Sequence, residues 1–112
     1  MKKILLLVNL AVFLFVVQIN AQTVTVSGDI STNTTWLSNT TYLLSGFVYV
    51  TNNAELTIQP GTIIKGDKAS KGSLIITRGS KIFADGTPSQ PIVFTSNEPA
   101  GSRTYGDWGG LV

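Results

Sequence analysis

The sequence has neither cysteine nor histidine in its 112 residues. Without cysteine there is no disulfide, no thiol nucleophile and no lipid-modified N-terminal Cys. Without either residue there is no Ser-His-Asp triad and no structural zinc site. Phosphate loops of the Gly-x-Gly-x-x-Gly or Gly-x-x-x-x-Gly-Lys type are absent as well. Charge is scarce, at 12% of residues, and the eight basic against six acidic residues give +2. Two of those basic residues, Lys2 and Lys3, stand at the extreme N-terminus. Without them the balance is six against six, so charge offers no case for a nucleic-acid partner.

One long apolar run is present, Ile4 to Val17, broken only by Asn9. Lys2-Lys3 before it and Ile19-Asn20-Ala21 after it have the order of a Sec-type leader cleaved before Gln22. The run is too short for a comfortable membrane span, so an uncleaved anchor is the lesser reading. Residues 1–21 are therefore expected to be a signal peptide, leaving no transmembrane segment and a secreted or outer-surface protein. The sequons at Asn33 and Asn39 read as ordinary Thr-rich loop in a bacterial export product.

Behind the leader the chain repeats itself. Leu56, Ile58, Gly61, Ile64 and Asp67 are matched eighteen positions later by Leu74, Ile76, Gly79, Ile82 and Asp85, and Ile92 and Phe94 open a third unit. Such short-period similarity marks a solenoid. Eighteen residues leave no room for a helix, so each unit is expected to be two or three short parallel strands. Ladders Leu56–Leu74–Ile92 and Ile58–Ile76–Phe94 are the predicted interior. A β-sandwich explains the short strands but not the matched register. Residues 22–46, Thr-, Ser- and Asn-rich with Trp36, Tyr42, Leu43 and Leu44 as bulk, are expected to cap the first coil. Residues 47–112 form the first coils, with Val48 and Val50 on one strand face opposite Phe47 and Tyr49. Gly61, Gly79 and Gly86 are the expected turn glycines. Leu111-Val112 reads as the start of a further coil with no polar cap behind it, so the chain is expected to be the N-terminal piece of a longer protein.

The runs Ala54–Lys68, Gly72–Ile82, Pro91–Ser96 and Gly106–Gly110 resemble the first coils of secreted right-handed parallel β-helix proteins. The nearest likeness is to large surface proteins of the Bacteroidota, many of which end in a type IX secretion sorting domain. The resemblance implies architecture and compartment, and carries no catalytic residue onto this sequence.

Among the described chemistry, Asp67 and Asp85 are the candidate metal ligands. If the repeat stacks them on successive coils, their repulsion invites a hard cation such as Ca²⁺; as plain turn residues before Lys68 and Gly86 they need no ion. No other cofactor is indicated. Trp108 and Tyr105 are candidate glycan-stacking aromatics, against a framework role for Trp-Gly-Gly; Trp36 reads as buried core. The five basic residues from Lys65 to Lys81 form either a stripe for anionic glycans or a solvated face that discourages edge pairing. The sequence thus points to a structural, adhesive or glycan-binding surface protein whose partner is an extracellular polysaccharide or surface component. No catalysis is expected from this segment. The alternative is the scaffold of a polysaccharide lyase or glycosidase with its catalytic residues downstream.

Overall fold

The computed structural model describes residues 22–112, so the leader reading of 1–21 lies outside the described residues. Ten strands follow one another: β1 Gln22–Val26, β2 Thr34–Trp36, β3 Thr40–Leu44, β4 Phe47–Val50, β5 Glu55–Ile58, β6 Ile63–Gly66, β7 Ser73–Ile76, β8 Lys81–Ala84, β9 Val93–Ser96 and β10 Gly110–Leu111. No helix occurs among the described residues.

Every strand pairing is parallel. The strands sort into three sheets, β1-β3-β6-β9, β4-β7-β10 and β2-β5-β8. The chain therefore visits a first, a second and a third face in turn and climbs one strand spacing, about 4.8 Å, per circuit. This is a parallel β-helix, as the sequence led us to expect. Residues 22–46, expected as a cap, make the first circuit and the opening strand of the next. β1 pairs with β3, Ile30 bridges Val50 and β2 pairs with β5.

The register departs from the predicted ladders. Leu56 stacks on Ile82, 26 residues away, while Leu74 lies between Val48 and Leu111. Ile64 lies between Tyr42 and Phe94. The eighteen-residue echo matches one corner with another, not one coil with the next. β5–turn–β6 runs from the third face to the first, and β7–turn–β8 from the second to the third. Both corners need the same strand, glycine turn and strand, so both carry the same signature. Likewise β10 belongs to the circuit that β9 begins, and does not open a new one.

Period-two alternation sends one side of each strand inward. Leu44, Val48, Val50, Leu56, Ile64 and Leu74 are wholly buried, and Trp36, Tyr42, Ala54 and Ile58 complete the core. Trp36 stacks on Tyr42 with ring centroids 4.6 Å apart. The Tyr42 hydroxyl accepts a hydrogen bond from the Leu37 amide at 2.8 Å. Trp36 is core, as expected, and the second-face alternation of Val48 and Val50 against Phe47 and Tyr49 also holds.

Gly61 and Gly79 take the positive φ that their turns require, 85° and 86°. They differ in surroundings. A Cβ at Gly61 meets nothing nearer than Gln90 Cβ at 3.6 Å, whereas one at Gly79 runs into Asn53 Oδ1. Gly61→Ala is expected to cost about 1–2 kcal/mol of backbone strain, and Gly79→Val clearly more. Equal melting temperatures for the two variants would contradict this geometry. Gly86 is needed for a different reason than expected. Its φ is not positive, and a Cβ there would lie 2.9 Å from the Ile92 amide nitrogen, so the requirement is close backbone approach.

Candidate functional site

Two features of the coil corners bring chemistry together. The first is a cleft where the third face turns into the first. Ser38 follows β2, Pro60 and Gly61 follow β5, and Ser89, Gln90 and Pro91 follow β8, so three successive circuits each contribute a turn. Ile63 and Val93, register partners on the outward side of β6 and β9, form its aliphatic wall. They are 38% and 40% exposed. The cavity measures about 420 Å³, within the usual size of a ligand pocket, roughly 300–1,000 Å³.

Its walls are tied in place. Thr62 donates its hydroxyl to the Gln59 carbonyl at 2.7 Å, and the Gln59 carboxamide oxygen accepts from the Ser38 amide at 3.1 Å. Thr87 and Gln90 exchange backbone hydrogen bonds of 3.1 Å each, and the Thr87 hydroxyl accepts a further one from the Gln90 amide. The cleft opens onto the outer side of the first face. There the rows Thr23–Thr41–Ile63–Val93 and Thr25–Leu43–Lys65–Thr95 run along the helix axis.

The second feature is a clasp between the loop after β6 and the long loop after β9. Asp107 is 1% exposed. Its Oδ2 accepts hydrogen bonds from the Ser96 hydroxyl at 2.8 Å and the Thr104 amide at 3.1 Å. Lys68 Nζ stands 3.9 Å from Asp107 Oδ1 and 3.8 Å from Glu98 Oε1. Lys71 donates to the Gly106 carbonyl, and the Gly109 amide donates to the Gly72 carbonyl.

The Thr104 amide, then the Ser96 hydroxyl, hold the Asp107 carboxyl below its ordinary range. Lys68 and Lys71 act in the same direction, against burial. A depressed folded-state value means stability that is present above the unfolded value, about 3.9, and is lost as pH falls through the folded one. Acid unfolding in that window, below the ordinary carboxylate range, is expected to lose a component in Asp107→Asn. Superimposable stability profiles for the two proteins between pH 5 and pH 2 would contradict it.

The candidates from the sequence are scattered by this geometry. Asp67 follows β6 on the first face and Asp85 follows β8 on the third, so they do not stack as the repeat implied. The cause is the corner-for-corner echo already described. Asp67 Oδ2 instead accepts from the Ser70 amide and hydroxyl, at 3.1 and 2.7 Å. Among the described residues no group of three or more acidic side chains converges as metal ligands do.

Trp108 packs on Gly66, where a Cβ would lie 2.5 Å from Trp108 Cβ, while Tyr105 is 96% exposed on the loop. The two aromatics do not form one platform. The basic run is wound around the helix: Lys65 faces out from the first face, Lys68 and Lys71 serve the clasp, and Lys81 sits opposite Glu55 on the third. Neither the cleft nor Asp107 was picked out from the sequence. The residues of the cleft lie about one circuit apart along the chain, and a single Asp in a turn carries no mark of burial.

A family model described as a pectate-lyase like beta helix domain matches residues 28–112, from within the first circuit to the last strand. The chain belongs to the pectate-lyase-like β-helix family. No match was found among curated proteins or among solved structures. Membership overturns the expectation of no catalysis from this segment, because pectate-lyase-like β-helices are usually enzymatic. The expectation rested on a repeat whose matched positions are framework residues, and on the absence of His and Cys. Those residues are needed for a triad or a zinc site, whereas chemistry on sugars runs on carboxylates and their partners.

Proposed function

We propose that this pectate-lyase-like β-helix is exported and engages extracellular polysaccharide, as the scaffold of a polysaccharide lyase or glycosidase. The observation that carries the reading is the preformed cleft between three stacked corners, on a fold of that family. Pockets that hold ligands combine an apolar lining with a few fixed polar groups, and this one has proline and aliphatic walls with hydroxyl and amide edges. The leader-like residues 1–21 support a secreted or outer-surface location, and the likeness to Bacteroidota surface proteins supports type IX export.

Two measurements test the reading. The full chain expressed in a secreting bacterial host is expected in the medium or envelope with Gln22 at its N-terminus; retention in the cytoplasm with Met1 intact contradicts export. In native gels cast with single polysaccharides, at least one neutral or acidic polymer is expected to retard the protein. Unchanged mobility in all of them contradicts the polysaccharide reading.

A further inference from the structure

The cleft and its surroundings say more about the ligand than its class. We infer that the cleft is a subsite for an uncharged sugar unit, not for a uronate. This deepens the polysaccharide reading and rests on it.

No lining residue is ionisable: the polar groups are Ser38, Ser89 and Gln90, and the rest of the wall is Pro60, Gly61, Ile63, Pro91 and Val93. A carboxylate placed in this open cleft finds no cationic partner among the lining residues, whereas a neutral unit needs none. The nearest cation on the same face is Lys65, two residues beyond Ile63 on β6 and paired with Thr95, so it sits along the outer face beyond the cleft lining.

A neutral pyranose matches the lining. Its C–H faces are apolar and its hydroxyl edge is polar, the same division as the aliphatic wall of Ile63 and Val93 and the rim of Ser38, Ser89 and Gln90. The rim is also rigid. The Gln90 backbone is tied to Thr87 by three hydrogen bonds, and the Ser38 amide donates to the Gln59 carboxamide oxygen. Little backbone ordering of these turns therefore remains to oppose binding. Successive sugar units would continue over the outer side of the first face, where Thr23 and Thr41 are adjacent in one row and Thr25 and Thr95 end the next, with Leu43 and the single charge, Lys65, between them.

The test uses the full chain, labelled for amide NMR, and three probes: cellobiose, maltose and digalacturonate. At least one neutral disaccharide is expected to shift the Ser89 and Gln90 amides saturably, and digalacturonate to leave them in place. Gln90→Ala is expected to weaken the neutral probe about tenfold, the worth of roughly 1.4 kcal/mol. Ile63→Asp, at an exposed position that does not endanger folding, is expected to weaken it as much. Digalacturonate shifting the cleft amides while neutral probes do not would overturn the inference and leave the polysaccharide reading standing. Neutral binding insensitive to both variants would overturn it too. Failure of all three probes, together with unchanged mobility in every polysaccharide gel, would remove both.

Discussion

Leu74→Ala is expected to lower the unfolding free energy by about 2–5 kcal/mol, the range for truncating a fully buried leucine. Leu74 is wholly buried, with Val48 stacked on one side and Leu111 on the other. The cavity left behind has little means of closing. β7 is held between β4 and β10 by parallel ladders, and the Leu74 carbonyl accepts from the Val112 amide at 2.9 Å while the Ile76 amide donates to the Val112 carbonyl. Total stabilities of single domains are about 5–15 kcal/mol, so this one change removes a large share. Leu37→Ala, at an exposed leucine, should stay within about 0.5 kcal/mol of the parent. Equal denaturant midpoints for the two variants would mean that Leu74 is not in the interior.

Gly72→Ala is expected to be nearly as damaging, about 3 kcal/mol, the upper end of the usual overpacking cost. A Cβ at Gly72 would overlap the Leu44 carbonyl oxygen and lie 2.9 Å from the Asp67 amide nitrogen. Both neighbours are backbone, so no side chain can swing aside. Gly72 is also a hinge of the clasp: its amide donates to the Asp67 carbonyl and its carbonyl accepts from Gly109, each at 2.9 Å. Its displacement should therefore unseat β10 as well as weaken β7. Hydrogen exchange is the discriminating readout. The Ile76 and Val112 amides, bonded between β7 and β10, should lose protection in the variant before the core amides of β5 and β6 do. Uniform protection across all of them would show that the corner tolerates a side chain.

What could be read from the residues was local. Alternation of Val48 and Val50 with Phe47 and Tyr49, the glycine turns at Gly61 and Gly79, and burial of Trp36 each follow from a few neighbouring positions. The class of fold followed too, because short strands recurring with glycine turns stack well only as a solenoid. Register did not. It depends on how many residues each corner inserts, and the corners differ. Tyr42 and Ile64 are 22 residues apart, Ile64 and Phe94 are 30. The loops Asp67–Gly72 and 85–92 have no periodic pattern to announce their length, so the repeated shape of the corner stands in for the length of the coil. The same shortfall hid the functional features. Ser38, Pro60 and Gln90 meet only because corners stack, and Asp107 is buried only because the Lys68 and Ser96 segments close over it.

The chain has no cysteine of its own, so its register can be read by cross-linking. Thr57 and Phe83 are register partners on the outward side of the third face. Adjacent strands lie about 4.8 Å apart, inside the disulfide range of roughly 4.4–6.8 Å between Cα atoms. Thr57 and Ile75 keep the eighteen-residue spacing but belong to the third and second faces. Under mild oxidation, the double variant Thr57→Cys/Phe83→Cys should form an intramolecular disulfide rapidly and melt higher when oxidised. The variant Thr57→Cys/Ile75→Cys should remain a free dithiol. Cross-linking in the second and not in the first would contradict a three-faced helix with Leu56 stacked on Ile82, and with it the corner that builds the cleft.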